Sequence, residues 1–363
     1  MSISNAFEFF VQLHLTERCN LRCKHCYQTG DRPDEMSLPE IKTVIAEVSD
    51  MLRDWTETYH IAFASSFNVT GGEPFLRQDL FPILEELREK GFDAYLLSNG
   101  VLINRERAEA LAEVGVKGVQ ISIEGPEVIH DALRGAGSLF SSIKGIKNLL
   151  HVGIEVTLNT TLSDINTPSF MDVIALASSL GVQRVGFSRL VPSGRGGKLI
   201  HRMLKREVLE EVYSTIFSLH TNGLQIVTGD PVASQIRAPA VEDVNNPLPS
   251  GGCAAGVSGL TILPDGTVTP CRRLPVPIGN VRIDSLREIW ATSEVLNALR
   301  DKSRYTGKCG ICNRWSVCRG CRAIAHACSS TTAKISYLAE DPQCFLENDD
   351  NQERHALQRA RLT

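Results

Sequence analysis

The chain has 363 residues, of which 42% are hydrophobic and 22% are charged, and its formal net charge is −4. This composition is typical of a globular protein with a substantial apolar core. The slight negative charge gives no electrostatic basis for nucleic-acid binding, and no stretch approaches the roughly 20 apolar residues of a membrane span. We therefore expect a cytoplasmic protein that binds neither nucleic acid nor membranes.

Strand-like and helix-like segments alternate along the first half of the chain. The hydrophobic pattern predicts strands over residues 9–15, 66–70, 94–98, 118–123, 155–161 and 184–190. Apolar residues at helical spacing predict helices over residues 38–53, 79–90, 105–114, 141–150 and 170–180, the first of them capped by Ser37. About six β/α units predict a parallel sheet, because each right-handed crossover returns the chain to the same edge.

The alternation ends after residue 197, and the second half of the chain has a different composition. One more helix is predicted over residues 207–220, and a stretch rich in Pro, Asn and Gly at 229–252 indicates a linker or a covering loop. From Cys253 onward cysteines replace regular apolar periodicity, which is typical of a module with an inorganic core. We predict a β/α domain at 1–228, a linker at 229–252, a Cys-rich domain at 253–347 and a charged tail at 348–363.

Eleven cysteines fall into two groups with regular spacing. Three of them form a C-x3-C-x2-C loop near the amino terminus: Cys19, Cys23 and Cys26. The other eight occupy the last third of the chain: Cys253, Cys271, Cys309, Cys312, Cys318, Cys321, Cys328 and Cys344. A 4Fe–4S cluster takes four thiolates unless one iron is kept open for another ligand. Three ligands and two sets of four therefore predict one cluster with an open iron and two fully ligated clusters.

Two other uses of cysteine compete with this interpretation. Disulfides are typical of short secreted proteins, whereas this sequence begins without a signal-peptide pattern and has an odd number of cysteines. Zinc is a better alternative, since the pairs Cys309–Cys312 and Cys318–Cys321 also have zinc-ribbon spacing. Zinc does not explain the amino-terminal loop, but it stays open for the carboxy-terminal group.

These motifs, in this order, resemble those of a known superfamily. The segment CNLRCKHCY at 19–27 resembles the cluster loop of the radical S-adenosylmethionine (SAM) enzymes, and GGEP at 71–74 resembles their methionine-binding motif. The carboxy-terminal third resembles the SPASM extension, which holds two auxiliary 4Fe–4S clusters. The resemblance implies an α/β fold: a partial (β/α)6 barrel with a small Cys-rich, cluster-binding C-terminal domain.

The resemblance also implies cofactors and chemistry. Three 4Fe–4S clusters and SAM are the expected cofactors, and an electron donor such as ferredoxin or flavodoxin is an expected partner. An electron from the cluster at the amino-terminal loop cleaves SAM to a 5′-deoxyadenosyl radical, which abstracts hydrogen from the substrate. In the family a glycine pair lets backbone approach the methionine amine, and an arginine reaches the SAM carboxylate. The candidate SAM contacts are His25, Gly71, Gly72, Glu73, Ser122, Arg134 and Asn159.

By the same resemblance the carboxy-terminal cysteines divide into two sets. The outer cluster takes Cys309, Cys312, Cys318 and Cys344, and the inner cluster takes Cys253, Cys271 and Cys321. The family commonly has three residues between its fifth and sixth cysteines, whereas two separate Cys318 from Cys321. Cys328 is an additional cysteine, seven residues after Cys321 and therefore on the same face of a helix. It is either the fourth ligand of the inner cluster or a packed thiol that binds no cluster.

Two substrate classes fit the resemblance. Members with this architecture mostly modify ribosomal peptides or proteins, so we expect an oxidoreductase that acts as a peptide maturase. Formylglycine formation is disfavoured, because Arg272 follows Cys271 where the formylglycine-forming members have an aspartate. The first strand begins near Phe9, so we expect a leader peptide to be recognised by a separate leader-binding protein or by the barrel surface.

The alternative is an enzyme that modifies tetrapyrrole side chains. The segments PCRRLP at 270–275 and CRGCRA at 318–323 also resemble the haem-biosynthesis branch of the superfamily. A third class, an electron carrier without enzymatic activity, is disfavoured because it needs neither the GGEP turn nor an open iron.

Overall fold

The computed structural model describes residues 6–30, 34–221, 223–237, 248–329 and 336–346. The strands in these ranges are β1 (Phe7–His14), β2 (Phe63–Thr70), β3 (Asp93–Ser98), β4 (Gly118–Ser122), β5 (Glu155–Leu162), β6 (Arg184–Arg189), β7 (Gln225–Val227), β8 (Gly259–Ile262), β9 (Thr267–Thr269) and β10 (Gly279–Asn280). They form one sheet in the order β10-β9-β8-β1-β2-β3-β4-β5-β6-β7. Neighbouring strands from β8 and β1 through β7 are parallel, and β9 and β10 continue the sheet as antiparallel strands.

Helices connect the parallel strands and continue into the Cys-rich region. They are α1 (Leu38–Tyr59), α2 (Leu80–Glu89), α3 (Arg105–Glu113), α4 (Glu127–Arg134), α5 (Ser138–His151), α6 (Phe170–Leu180), α7 (Arg206–Ser218), α8 (Ser234–Arg237), α9 (Leu286–Thr292), α10 (Glu294–Arg300), α11 (Lys308–Ile311) and α12 (Arg322–Ser329). Among these described helices, none combines the length and the apolar character that crossing a membrane requires. The predicted α/β fold with a parallel sheet is confirmed.

Helix α1 shows how local sequence determines an element. The Ser37 backbone N–H donates to Glu40 Oε2 at 2.7 Å, which closes a capping box at the helix start. The apolar residues of the helix recur on one face, are buried and join the main core: Ile41, Val44, Ile45, Val48, Met51 and Leu52. The helix extends past the predicted end to Tyr59 and stops where His60 adopts a left-handed conformation with φ 55°.

The two faces of the sheet differ in polarity. On β1, Val11 and Leu13 belong to the apolar core, whereas Gln12 and His14 alternate with them and belong to the opposite face. Along β4, β5 and β6 the residues of that opposite face are also polar, and they line a cleft at the carboxyl ends of the strands: Gln120, Ser122, Asn159, Thr161 and Ser188. The sheet therefore packs its apolar face against helices and leaves a polar concave face for the site.

Several elements were not predicted from the sequence. Helix α4 and strands β7 to β10 have no counterpart among the predicted elements. Strand β8 pairs in parallel with β1, with Phe10 opposite Gly259, so the Cys-rich region extends the barrel sheet. The predicted tail at 348–363 lies outside the described residues, as do residues 238–247 of the predicted linker.

A buried ion network ties the barrel to the Cys-rich region. Arg189 lies at the end of β6, and only 1% of its side chain is exposed. Its Nε lies 2.6 Å from Asp230 Oδ2, and its Nη2 lies 2.7 Å from Asp341 Oδ2. Asp341 Oδ2 also accepts the backbone N–H of Cys321 at 2.7 Å. One arginine thus connects the last barrel strands, the segment after β7 and the backbone of a predicted cluster ligand.

Candidate active site

The cysteine loop and the carboxyl ends of the strands enclose one cleft, which we call the loop cleft. Its volume is about 920 Å³, including the solvent at its mouth, and Cys19, Cys23 and Cys26 all line it. Ligands of α/β folds commonly bind at this end of the sheet. Six of the seven candidate SAM contacts line the same cleft: His25, Gly71, Gly72, Ser122, Arg134 and Asn159.

The glycine pair after β2 packs directly against the cysteine loop. The Gly72 N–H donates to the Thr16 carbonyl at 2.6 Å, and the Glu73 N–H donates to the Arg18 carbonyl at 2.8 Å. A Cβ built on Gly71 would lie 2.7 Å from the Thr16 carbonyl oxygen, which is too close for any side chain. The glycines therefore allow the loop backbone to approach β2, in addition to leaving room beside the cleft.

Glu73 occupies a different environment from the other candidate contacts. It is fully buried, and its carboxylate accepts the Ser98 hydroxyl at 2.8 Å and the Asn99 backbone N–H at 3.0 Å. Burial raises the pKa of Glu73 to about 7, although these hydrogen bonds act against the shift. Glu73 is not among the residues that line the loop cleft. In this structure it holds the turn after β3 in place.

Arg134 and His25 meet at a carboxylate that no sequence motif singles out. Glu124 follows β4, and its Oε1 lies 3.0 Å from Arg134 Nε and 3.2 Å from His25 Nε2. Burial acts to raise the pKa of Glu124, but the charges of Arg134 and His25 outweigh it and hold that pKa well below its usual range. Arg134 Nη1 also lies 3.8 Å from Cys23 Sγ. Glu124 thus positions both candidate contacts against the cysteine loop.

Other residues of the cleft were also not predicted from the sequence. Asn99 Nδ2 donates to Asn20 Oδ1 at 2.8 Å and lies 3.9 Å from Cys19 Sγ, so it supports the loop from β3. Three arginines from distant segments also line the cleft: Arg195, Arg272 and Arg273. The doublet Arg272-Arg273 is plain in the sequence, but nothing in its local pattern indicates that it faces the cysteine loop.

Two of the cysteines assigned to the outer cluster contact the same side-chain amide. Gln235 Nε2 lies 3.6 Å from Cys318 Sγ and 3.4 Å from Cys344 Sγ, although these cysteines are far apart in sequence. Cys309 is buried and lies in helix α11, and Cys312 follows the end of that helix. The Arg314 backbone N–H donates to Cys312 Sγ at 3.3 Å.

Two of the cysteines assigned to the inner cluster, Cys271 and Cys321, pack beside α12. Cys321 lines a second cavity of about 710 Å³, which Arg272 and Arg273 line as well. The side chains of Cys271, Cys321 and Cys328 pack against the same small apolar cluster of Val191, Leu274, Ala323, Ile324 and Ala327. Cys328 Sγ also contacts Met203 Sδ at 3.8 Å.

The loop cleft offers three thiols, and thiolates are the ligands that hold 4Fe–4S clusters in proteins. A 4Fe–4S cluster binds each thiolate to a different iron. Three thiols around one cleft fit such a cluster with one iron left for another ligand. When bound, the cluster supplies the electron that cleaves SAM.

We expect Cys328→Ala to change the inner cluster and to leave the outer cluster intact. Because Cys328 shares the apolar cluster of Cys271 and Cys321, its loss should open one iron of the inner cluster. The EPR spectrum of that cluster should change, and its iron should become more labile. Unchanged spectra and iron content would contradict the assignment. The substitution would then cost only a small cavity, on the order of 1 kcal/mol of unfolding free energy.

Comparisons with known proteins agree with this arrangement. The family model of the radical SAM superfamily matches residues 13–177, and the model of the SPASM iron–sulfur cluster-binding domain matches residues 253–322. The chain is 32% identical to the AdoMet-dependent heme synthase of Oleidesulfovibrio alaskensis, with 92% of this chain and 86% of the relative covered. It is 29% identical to the mycofactocin maturase MftC of Mycobacterium tuberculosis, with 84% and 76% covered.

A solved structure shows the same fold at low identity. Streptococcus suis SuiB bound to S-adenosylmethionine superposes with a TM-score of 0.72 at 17% identity, and the match covers 94% of this chain and 78% of that one. The family matches confirm the predicted cofactors, a 4Fe–4S cluster with SAM and additional clusters in the SPASM domain, and they decide the carboxy-terminal group in favour of clusters over zinc. The chain therefore belongs to the radical SAM superfamily and carries a SPASM domain.

Proposed function

We propose that this radical SAM enzyme abstracts hydrogen from a side chain of a carboxylate-bearing tetrapyrrole. The observation that carries the proposal is the positive charge of the chamber formed by the loop cleft and the second cavity. Arg272 and Arg273 line both cavities, and Arg195 lines the first. This charge favours a tetrapyrrole over the peptide that the sequence alone led us to expect.

The printed contacts of these three arginines are with neutral groups, although Asp230, Cys271 and Cys321 act electrostatically on Arg273. Arg195 Nε donates to the Cys23 carbonyl at 3.2 Å, and the Arg272 guanidinium lies 5.6 Å from the centre of the Tyr27 ring. Arg273 Nε is buried and has no hydrogen-bond partner. In the described part of the chain, no Asp or Glu forms an ion pair with any of the three.

Guanidinium groups that line a cleft without a carboxylate partner favour an anionic ligand. A carboxylate matches the planar guanidinium with two charge-assisted hydrogen bonds. SAM carries one carboxylate, and in the family an arginine at the position of Arg134 reaches it. Arg195, Arg272 and Arg273 therefore favour a substrate that carries carboxylates of its own.

The position of the chamber suits a large substrate. The second cavity shares Asn159, Ser188 and Arg189 with the loop cleft and extends to Cys321. A substrate in the chamber would thus lie between the cysteine loop and the predicted inner cluster. A relative named for haem synthesis covers nearly the whole chain at 32% identity, which supports the same substrate class.

A peptide substrate is the second candidate. The mycofactocin maturase is 29% identical to this chain, and that relative supports peptide modification. Acidic side chains of a peptide would also satisfy the arginines, so charge alone does not separate the two classes. For either substrate we propose ferredoxin or flavodoxin as the electron donor, and for a peptide a separate leader-binding protein.

Substitution of Arg272 should weaken tetrapyrrole binding. We expect Arg272→Gln to raise the Kd for iron coproporphyrin III by about 10- to 100-fold, since a charge-assisted hydrogen bond contributes about 1.5–3 kcal/mol. The Kd is measured from the absorbance change when this tetrapyrrole is titrated into the anaerobic protein. The effect should shrink at high salt, because it depends on charge.

Arg287→Gln is the matched control. Arg287 lies on α9 with 51% of its side chain exposed, pairs with Asp54 and lines neither cavity of the chamber. Its loss should leave the Kd unchanged. If wild-type protein does not bind iron coproporphyrin III, or if Arg272→Gln binds it equally well, the tetrapyrrole proposal is contradicted. Saturable binding of a precursor peptide that depends on Arg272 would then favour the second candidate.

A further inference from the structure

Two buried arginines alternate with cluster ligands in the segment Cys318-Arg319-Gly320-Cys321-Arg322. The residues Arg319 and Arg322 are only 2% and 1% exposed. They lie outside the chamber described above, since neither lines the loop cleft or the second cavity. Nothing in the proposed substrate chemistry uses them.

Arg322 touches a cysteine sulfur and otherwise only neutral groups. Its Nη2 lies 3.6 Å from Cys309 Sγ, and its Nη1 donates to the carbonyls of Tyr337 at 3.1 Å and Ala339 at 2.7 Å. Its guanidinium carbon lies 4.9 Å from the centre of the Tyr305 ring. No carboxylate of the described residues pairs with it. The charge of Asp341 also acts on Arg322, but Asp341 is already held by Arg189.

Arg319 also donates hydrogen bonds to carbonyl groups and lies against an aromatic ring. Its guanidinium donates to the carbonyls of Ser316 and Cys253 and lies 5.6 Å from the centre of the Trp315 ring. Its backbone adopts the left-handed region with φ 61°, which is unfavourable for a residue other than glycine. Such a conformation persists only where the surroundings enforce it, as at functional sites.

The buried positive charge of these arginines needs a negative charge nearby. A guanidinium buried among carbonyls and aromatic rings costs several kcal/mol unless an opposite charge lies nearby. Apart from Asp341, the groups beside Arg322 that can supply negative charge are cluster ligands, and a cluster bound by thiolates is anionic. Hydrogen bonds to the sulfurs and nearby charge are among the factors that set the reduction potential of such a cluster.

We propose that Arg322 is the counter-cation of the outer auxiliary cluster and raises its reduction potential through Cys309 Sγ. A positive charge beside the cluster stabilises the reduced form more than the oxidised form, because the reduced form is more negative. Arg322 is thus a positioning and tuning residue, not one that touches the substrate. The proposal does not depend on which substrate the enzyme uses.

An EPR-monitored redox titration of anaerobically reconstituted protein tests this role. In Arg322→Gln, which keeps hydrogen-bonding capacity but removes the charge, we expect the midpoint potential of one auxiliary cluster to shift to lower values. The potentials of the other two clusters should stay unchanged. Arg322→Lys, which keeps the charge, should move the potential back toward the wild-type value. Arg300→Gln is the control, since Arg300 also stacks on an aromatic ring, that of Trp290, without an ion pair or a cysteine contact among the described residues.

The variants separate tuning from a purely structural role. Equal potentials in wild type and Arg322→Gln at full iron content would overturn the proposal. If Arg322→Gln loses one cluster, the iron content of Arg322→Lys shows whether the charge or the shape of the arginine is needed. A lysine variant that retains the cluster supports the need for charge, whereas a lysine variant that loses it to the same extent shows that the shape of the arginine matters and overturns the proposal.

Discussion

Replacing Cys19, Cys23 and Cys26 together with alanine is expected to abolish the formation of 5′-deoxyadenosine and to leave a folded protein. The loop is also held by its backbone: the Lys24 N–H donates to the Leu133 carbonyl at 2.8 Å, and the Cys26 carbonyl accepts the Gly196 N–H at 2.9 Å. Because these contacts do not involve sulfur, the loop should keep its place. Iron should fall from about 12 to about 8 per chain, since each cubane holds four irons.

The measurement is anaerobic incubation with SAM and dithionite, followed by chromatography of 5′-deoxyadenosine. A variant that lacks Cys309 and Cys312 is the matched control, because it should lose a similar share of iron from the outer cluster and keep the SAM-binding loop. Cleavage of SAM by the triple variant would contradict the assignment of the loop. Loss of all iron from it would show instead that the three cluster sites are not independent.

Substitution of Arg189 by methionine should strongly destabilise the fold. It leaves the carboxylates of Asp230 and Asp341 buried without their cation, and breaking a buried ion pair from one side costs about 3–5 kcal/mol. Tyr213 donates its hydroxyl to Asp230 at 2.7 Å, but a neutral donor does not replace the charge. We expect a lower free energy of unfolding in denaturant titrations and a looser attachment of the Cys-rich region, seen as faster proteolysis.

A matched exposed pair provides the control. Arg202 pairs with Asp164 at 2.8 Å, but the side chains are 40% and 43% exposed. Arg202→Met should therefore cost no more than about 1 kcal/mol. Equal stability of the two variants would show that the buried network does not hold the barrel and the Cys-rich region together.

The features that could be predicted from the sequence are those that depend on residues close together in the chain. Strands β1 to β6 appear as short apolar runs between helices with a repeating apolar face, and Ser37 with Glu40 marks the start of α1. The cysteine loop and the GGEP turn also have local spacing, so their cofactors could be expected. Helix α4 was missed because it has eight residues and only two of them, His130 and Leu133, are buried.

The features that sequence did not predict depend on contacts between distant segments. Glu124 becomes important only because the fold brings His25, about 100 positions earlier, beside Arg134. Likewise, Arg189 joins Asp341, which lies 152 positions later, and no periodicity links the two. Arg272 also lines the cleft of the cysteine loop only because the fold brings distant segments together. Ion pairs between distant segments produce no pattern in the spacing of residues along the sequence. The chamber could therefore be recognised only in the structure.

The substrate that we propose is a carboxylate-bearing tetrapyrrole. The most direct measurement is mass spectrometry of iron coproporphyrin III after anaerobic incubation with the reconstituted enzyme, SAM and dithionite, in parallel with peptides encoded beside this gene. We predict that the tetrapyrrole changes mass and that 5′-deoxyadenosine forms in proportion. A modified peptide beside an unchanged tetrapyrrole would contradict the proposed substrate class.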